Sequence, residues 1–408
     1  MKETQHGINF APVAEGEVTY EELEAKAANG DFKEWDYECD PFVERETGYE
    51  EFYDELNEVG YKDFKKMSQE DQDAQVQRVM VIYRSKNHFP ISYLSDIGIE
   101  KEVRKCYNYK AEFKGDTLKT GAGVGSALCT YMFPNLQDAY SNKDAEKGEA
   151  RSTWGKFYSD EWLERGVRFC YNHGQSTPTP SSLLAALRQS GSAPTNFRPA
   201  NSLAIWNRFT PEGGTVWDMS TGFGGRLLGA LSSHKNLTYI GTDPNTESMW
   251  NTHRLAQVID EYTPNYEGVE GRYELHCCGS EVIELPANSI DFAFSSPPYF
   301  DLEIYSDEDT QSTAKYPEIQ GWLEGFARGT IRNLVHALKP GCLYGVNIAD
   351  FNTATGKVNY VDAWSEISEQ EGAPRYGTVY LGVNARAGSI EQKMGVEKKE
   401  NIMLFQKK

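Results

Sequence analysis

Thr215-Val216-Trp217-Asp218-Met219-Ser220-Thr221-Gly222-Phe223-Gly224-Gly225-Arg226-Leu227-Leu228-Gly229-Ala230-Leu231 reads as a short apolar strand, a glycine-rich turn and a helix. Glycines in such a turn let the backbone approach a ligand, and the helix that follows offers unpaired N–H groups at its start. A lone glycine turn says little. What surrounds it turns it into a sheet with a binding edge.

A second strand, Leu237-Thr238-Tyr239-Ile240-Gly241, ends at Thr242-Asp243-Pro244-Asn245. An acid there stands where a Rossmann-like sheet accepts the ribose hydroxyls of a nucleoside cofactor. A third strand, Tyr273-Glu274-Leu275-His276-Cys277-Cys278, carries Gly279-Ser280-Glu281 at its tip, a polar end suited to an adenine amine. The fourth, Ile290-Asp291-Phe292-Ala293-Phe294, runs into Ser295-Ser296-Pro297-Pro298-Tyr299-Phe300. Two prolines fix φ and carry no N–H, so they present carbonyls in set directions, and the aromatic offers a flat face. The result is a holder for a planar group bearing an NH2.

These four strand ends in this order resemble the S-adenosylmethionine-dependent amino-methyltransferases of nucleic acids, which act on the exocyclic amine of cytosine or adenine. The resemblance covers residues 195 to 408. It implies that Ser296 and the Pro297 carbonyl hold the target amine, that Pro298 completes the motif and that Tyr299 stacks on a flipped base. Asn196-Phe197-Arg198-Pro199-Ala200 is similar to the family's segment for the methionine part of the cofactor, which implicates Phe197, Arg198 and Pro199. Asp218, Ser220, Gly222 and Gly224 of the turn, Asp243 and Pro244 after it, and Ser280 and Glu281 complete the implied cofactor contacts. The turn departs from the family's usual Asp-Pro-Phe-Ala-Gly-Ser-Gly, keeping its first Asp and its glycines. Serine at the first motif position is common among the cytosine enzymes and also occurs among the adenine enzymes. Methylation at ring carbon five resembles cysteine chemistry after the motif's proline; Pro298 stands there, and no Pro-Cys pair exists in the chain.

An aryl amine is a weak nucleophile and a sulfonium a strong electrophile, so the expected task is alignment, with no metal. Downstream, an amphipathic stretch from Ile319 to Leu338 stops at Lys339-Pro340-Gly341. Strands are expected at Cys342–Ile348, Tyr376–Leu381 and Asn401–Phe405. The predicted fold class is α/β: a Rossmann-like methyltransferase fold with a seven-stranded, mostly parallel sheet and a closing hairpin over 191–408, joined to an acidic, mainly helical N-terminal domain over 1–190.

The 408 residues carry a net charge of −20, awkward for a protein that grips phosphates. Much of the acid lies between Glu15 and Asp73, where aromatics recur among carboxylates, as in Tyr20-Glu21-Glu22-Leu23-Glu24. A solvated face of small helices is the plain reading; an acidic docking surface or nucleic-acid mimic is the sharper one. Basic candidates stand at Lys62 with Lys65-Lys66, at Arg84 and Lys86, and within 101–105 and 198–208. Gln77 to Arg84 reads as a strand, 160–169 and 181–188 as helices, and Gly121–Ser126 as a flexible turn without function. The polar loop from Asp301 to Tyr316 is expected outside the core, free to close over a target. Seven cysteines without a CxxC pair are expected to be reduced core residues. No signal pattern or long apolar run appears, so a soluble cytoplasmic protein is expected, its partner a nucleic acid, DNA foremost, with a protein partner at the acidic region open. Two other readings remain: a methyltransferase of RNA or of a protein amide, and a silent decoy on the same fold.

Overall fold

The computed structural model describes residues 16–32, 49–86, 88–110, 112–119, 123–189, 193–263, 272–353, 356–383 and 398–408. The expected domain boundary at 190 and 191, and residues 33–48 of the acidic stretch, lie outside them. In chain order the strands are β1 (Phe113–Lys114), β2 (Thr117–Lys119), β3 (Tyr140–Ser141), β4 (Thr215–Asp218), β5 (Thr238–Thr242), β6 (Tyr273–His276) and β7 (Ile290–Ser295). They continue with β8 (Glu303–Ile304), β9 (Leu338–Val346), β10 (Phe351–Thr353), β11 (Gly356–Val358), β12 (Arg375–Val383) and β13 (Lys398–Gln406).

Nine of them form one sheet in the order β1-β2-β12-β13-β9-β7-β4-β5-β6. From β9 to β6 all neighbours are parallel, and β13 runs antiparallel to both β9 and β12. Those seven strands, with their reversed β13, have the order of the Rossmann-like methyltransferase sheet. The hairpin β1-β2 from the N-terminal half extends it, β2 lying parallel to β12. Strand order reverses between β4 and β7, and the crevice outside the C-terminal strand ends at such a point is where open α/β sheets bind ligands.

Side chains alternate across the sheet. Val216, Phe292 and Phe294 face one core, while Trp217 and Ala293 face the other. The first core runs without a break from Phe52 through Val79, Leu163 and Leu187 to Trp206, Leu255 and Leu404. The N-terminal helices therefore pack into the same core as one face of the sheet. On the opposite face Trp322, Ile331 and Trp364 close the second core.

Gln77 to Arg84 is helix, not strand: it belongs to Gln69–Ser85, whose N-cap Ser68 accepts from the Asp71 N–H at 3.2 Å. Val76, Val79, Met80 and Tyr83 are buried at helical spacing, and Val81 is 63% exposed, so period 3.6 overrides the β-branched run. The stretch after Ile319 is helical to Ala337, with a π-turn over Leu323–Ala327. There a Cβ on Gly325 would strike the Tyr316 ring. The expected flexible turn at Gly123–Ser126 is a packed helix start, since a Cβ on Gly125 would meet Leu228 at 2.7 Å. The six described cysteines are free, five of them buried. No described helix is long and apolar enough to cross a membrane.

Part of the acidic stretch has a definite seat. Tyr20–Asn29 is a helix begun by a Thr19/Glu22 capping box; its acids face solvent, Leu23 is buried and the Tyr20 ring meets Trp250 and His253. Just before it, Val18 bridges Cys277, and Glu17 reaches His276 Nδ1 at 2.8 Å while Glu274 stands 2.8 Å from Nε2. Burial alone pulls this imidazole down, but the two carboxylates outweigh it and hold it up at about 9. A histidine raised in the folded state contributes stability that is full below its ordinary 6.5 and lost as pH rises through 9. Urea midpoints are therefore expected to fall more steeply from pH 6.5 to above 9 in the wild type than in His276→Gln; equal slopes would contradict the clamp.

Candidate functional site

Asp218 ends β4 fully buried. Its Oδ2 accepts from Arg226 Nε and from the Tyr239 hydroxyl, each at 2.8 Å, and its Oδ1 accepts from the Ser295 hydroxyl at 2.9 Å. One carboxylate thus joins the start of the helix after the turn to β5 and β7. Arg226 also donates to the Ser220 carbonyl, pinning the turn from within. Gly222 and Gly224 have φ of 60° and 75°, where only glycine is unstrained, and a Cβ on Gly224 would strike Phe133 and Leu255.

Above this strut the turn opens outward. Asp243 accepts from the Gly222 N–H at 2.8 Å and from the Asn245 N–H at 3.0 Å. Burial pushes its carboxyl up to about 6, against those two N–H groups. At the tip of β6, Ser280 shares a hydrogen bond with Thr330 at 2.8 Å, and Glu281 pairs with Lys315 at 3.2 Å.

At the end of β7 lies the proline ledge. Ser296 Oγ donates to the Asn347 carbonyl at 3.1 Å, and the Tyr299 hydroxyl donates to the same oxygen at 3.3 Å. A carbonyl can only accept, so each hydroxyl spends its one proton there and keeps the capacity to accept, shared at Tyr299 with the Ala349 N–H. Asn347 is held in turn: its N–H donates to the Ser295 carbonyl and its side-chain amide to the Asn401 carbonyl. The Tyr299 ring stands edge-on to Phe351 and Tyr360, and the Tyr360 hydroxyl donates to the Pro298 carbonyl at 3.4 Å.

Both edges line a single cavity of about 720 Å³. The structure brings Phe197, Arg198, Ser220, Gly222, Asp243 and Pro244 to its wall. Ser280, Glu281, Ser296, Pro298 and Tyr299 face it as well. Four expected site residues stand behind the wall: Asp218 is the strut beneath the turn, Gly224 packs against Phe133, Pro199 starts the helix Pro199–Phe209, and Pro297 is buried under the ledge.

The loop from Asp301 to Tyr316 departs from expectation. β8 within it pairs with β3 of the N-terminal half, and Leu302, Glu303 and Tyr305 form cavity wall. Glu308 accepts from the Thr246 N–H at 3.2 Å and from the Thr246 hydroxyl, and Thr310 donates to the Pro244 carbonyl. Glu308 and Thr310 are satisfied at the neighbouring helix start, which holds this polar segment at the site.

Arg226, Asn201, Glu303 and Gln311 line the cavity without having been expected there. Asn201 lies three residues past Arg198, on the helix begun by Pro199, the one signal that pointed to it. Two buried atoms in the wall, Asn201 Oδ1 and Gln311 Nε2, have no hydrogen-bond partner among the described residues. One asks for a donor and the other for an acceptor, so the cavity is built for a polar guest. A nucleoside bearing an amino acid fits that demand: hydroxyls for Asp243, an ammonium for Asn201 Oδ1, and at Gly222 a wall with no side chain in the way.

No protein-family model matches the chain, and no curated protein does. Among solved structures it is similar to a methyltransferase from Pyrococcus furiosus, with 14% identity over 52% of this chain and 83% of that one and a TM-score of 0.33. It is similar to a geranyl diphosphate C-methyltransferase from Streptomyces coelicolor A3(2), bound to S-adenosyl-L-homocysteine, with 10% identity over 56% and 83% and a TM-score of 0.35. It is also similar to the [4+2]-cyclase SpnF, with 12% identity over 52% and 81% and a TM-score of 0.35. These likenesses are partial and span different chemistries, whereas the strand order of the sheet is complete in itself.

Proposed function

We propose that the protein is an S-adenosylmethionine-dependent methyltransferase whose target is the exocyclic amine of cytosine or adenine in DNA. One observation carries the reading: the proline ledge and the Gly222–Asp243 edge meet across the strand-order reversal and face one cavity. When bound, S-adenosylmethionine supplies an electrophilic methyl group on a sulfonium. Asp243, Gly222 and Asn201 are the residues to hold it, with Ser280 and Glu281 at its base. The chain's own work is at the ledge. With their protons committed to the Asn347 carbonyl, Ser296 and Tyr299 receive N–H bonds, which suits an NH2 and aims its lone pair away from the wall. The Tyr299 ring offsets part of the few kcal/mol that leaving a duplex stack costs.

The net charge of −20 favours a second reading, in which the amine is an amide of a protein or a base of RNA. Incubation with labelled S-adenosylmethionine and mixed-sequence duplex DNA, bulk transfer RNA or a protein extract separates the two. Label in DNA is the expected result. Label in protein or RNA alone replaces it with the second reading, and no label anywhere overturns both.

A further inference from the structure

Four carboxyl groups besides the ledge's own hydroxyls line the cavity, and three already have a task or lie at the rim. Asp243 takes a backbone N–H on each oxygen, Glu281 is paired with Lys315, and Glu400 is exposed at the mouth beside Lys399. Glu303 is different. It sits four residues after Tyr299 on β8, and its main chain is fixed by pairing with Ser141 of β3. Its Oε2 accepts the Tyr305 hydroxyl, while Oε1 has no hydrogen bond among the described residues. It is also the first of the charges that act on Tyr299.

We propose that Glu303 is the proton acceptor of the transfer reaction, a role that rests on the amine-methylation reading. On methylation the amine nitrogen spends its lone pair on a new N–C bond, while the C–S bond of the sulfonium donor breaks with both electrons left on sulfur. Positive charge builds on nitrogen as the N–C bond forms, and it is relieved in the same step: one N–H bond breaks, its electron pair returns to nitrogen and its proton passes to the Glu303 carboxylate. The ledge hydroxyls are too weakly basic to keep a proton, whereas a carboxylate in the same cavity wall can.

Burial raises the Glu303 carboxyl above the ordinary glutamate range, against the pull of the Tyr305 hydroxyl, which makes it a better proton sink than an exposed acid. Tyr305 and Tyr299 act on it directly, and the charged groups that share its cavity are Asp243, Glu281, Glu400, Arg198, Arg226 and Lys399.

The test compares wild type, Glu303→Gln and Glu303→Asp in single-turnover transfer from labelled S-adenosylmethionine to mixed-sequence duplex DNA across pH. Glu303→Gln is expected to lower the transfer rate about 100-fold. It should lose the acid limb of the profile and bind S-adenosylmethionine within about twofold of wild type, a margin no larger than ordinary surface changes give. Glu303→Asp should keep the limb at a reduced rate. In the free protein, 13C titration of glutamate carboxyls should show one resonance above the ordinary range that Glu303→Gln removes. An unchanged rate and limb in Glu303→Gln, or no such resonance, overturns the proposal while the amine reading stands; a wild type inert on DNA overturns that reading and this proposal with it.

Discussion

Asp218→Ala is expected to cost about 3–5 kcal/mol of stability, the range for removing one partner of a buried ion pair. The change leaves the Arg226 guanidinium, 5% exposed, without its charge partner, strips the Tyr239 hydroxyl of its acceptor and leaves the Ser295 hydroxyl only the longer bond to the Ser220 carbonyl at 3.4 Å. Each orphaned group then carries its own desolvation cost. Typical domains hold about 5–15 kcal/mol in all, so soluble yield should fall as well. Function should fall with it, because the same carboxylate holds β7, and so the ledge, in register with the glycine turn. Asp218→Asn keeps the shape and two acceptor sites and should cost about half as much, still leaving the guanidinium unneutralised. Pairing Asp218→Asn with Arg226→Met removes the stranded charge and should recover part of the loss. Urea unfolding checks the series; a cost below about 1 kcal/mol for Asp218→Ala, the size of an ordinary single hydrogen bond, would show that the strut is not one.

That residue also marks the limit of what the sequence discloses. The strands β4, β5 and β7 were legible because strands buried on both faces are short apolar runs, and their ends were legible because glycine, proline and acid each have a backbone reason to stand there. Whether an end residue looks outward or inward depends on partners distant in sequence. For Asp218 these are Tyr239 and Ser295 on the flanking strands, and nothing local to Asp218 announces them. Val79 to Tyr83 misled for the opposite reason. Its β-branched run is a local signal, while its burial at every third and fourth position is set by the helices it packs on. The loop after Phe300 looked solvated because of its polar composition, with Asp307-Glu308-Asp309 in a row. Glu308 finds the open start of the helix Thr246–Tyr262, and Tyr305 finds Glu303 inside the cavity. Glu303 and Gln311 were hidden by the same rule, lying in a segment whose composition reads as surface.

Tyr299 offers the sharpest division between the two tasks of the cavity. Its ring lies on the ledge and its hydroxyl is tied to the Asn347 carbonyl, so two substitutions separate stacking from polarity. Tyr299→Ala removes both and is expected to lower transfer to DNA by about 100-fold, since stacking a base on an aromatic is worth about 1–3 kcal/mol and the hydrogen bond adds about 1. Cofactor affinity should move by less than about twofold, because the groups suited to that ligand stand at the ends of β4 and β5. Tyr299→Phe keeps the ring and gives up the hydroxyl, so the loss should shrink to about tenfold, the value of one hydrogen bond. The ordering carries the argument. If phenylalanine were as poor as alanine, the hydroxyl rather than the ring would hold the target, and a flipped base would lose its support as the substrate. If both variants lost cofactor binding and transfer together, the ledge would be a brace for the cofactor edge, with Ser296 and Tyr299 serving Asn347 instead of an incoming amine.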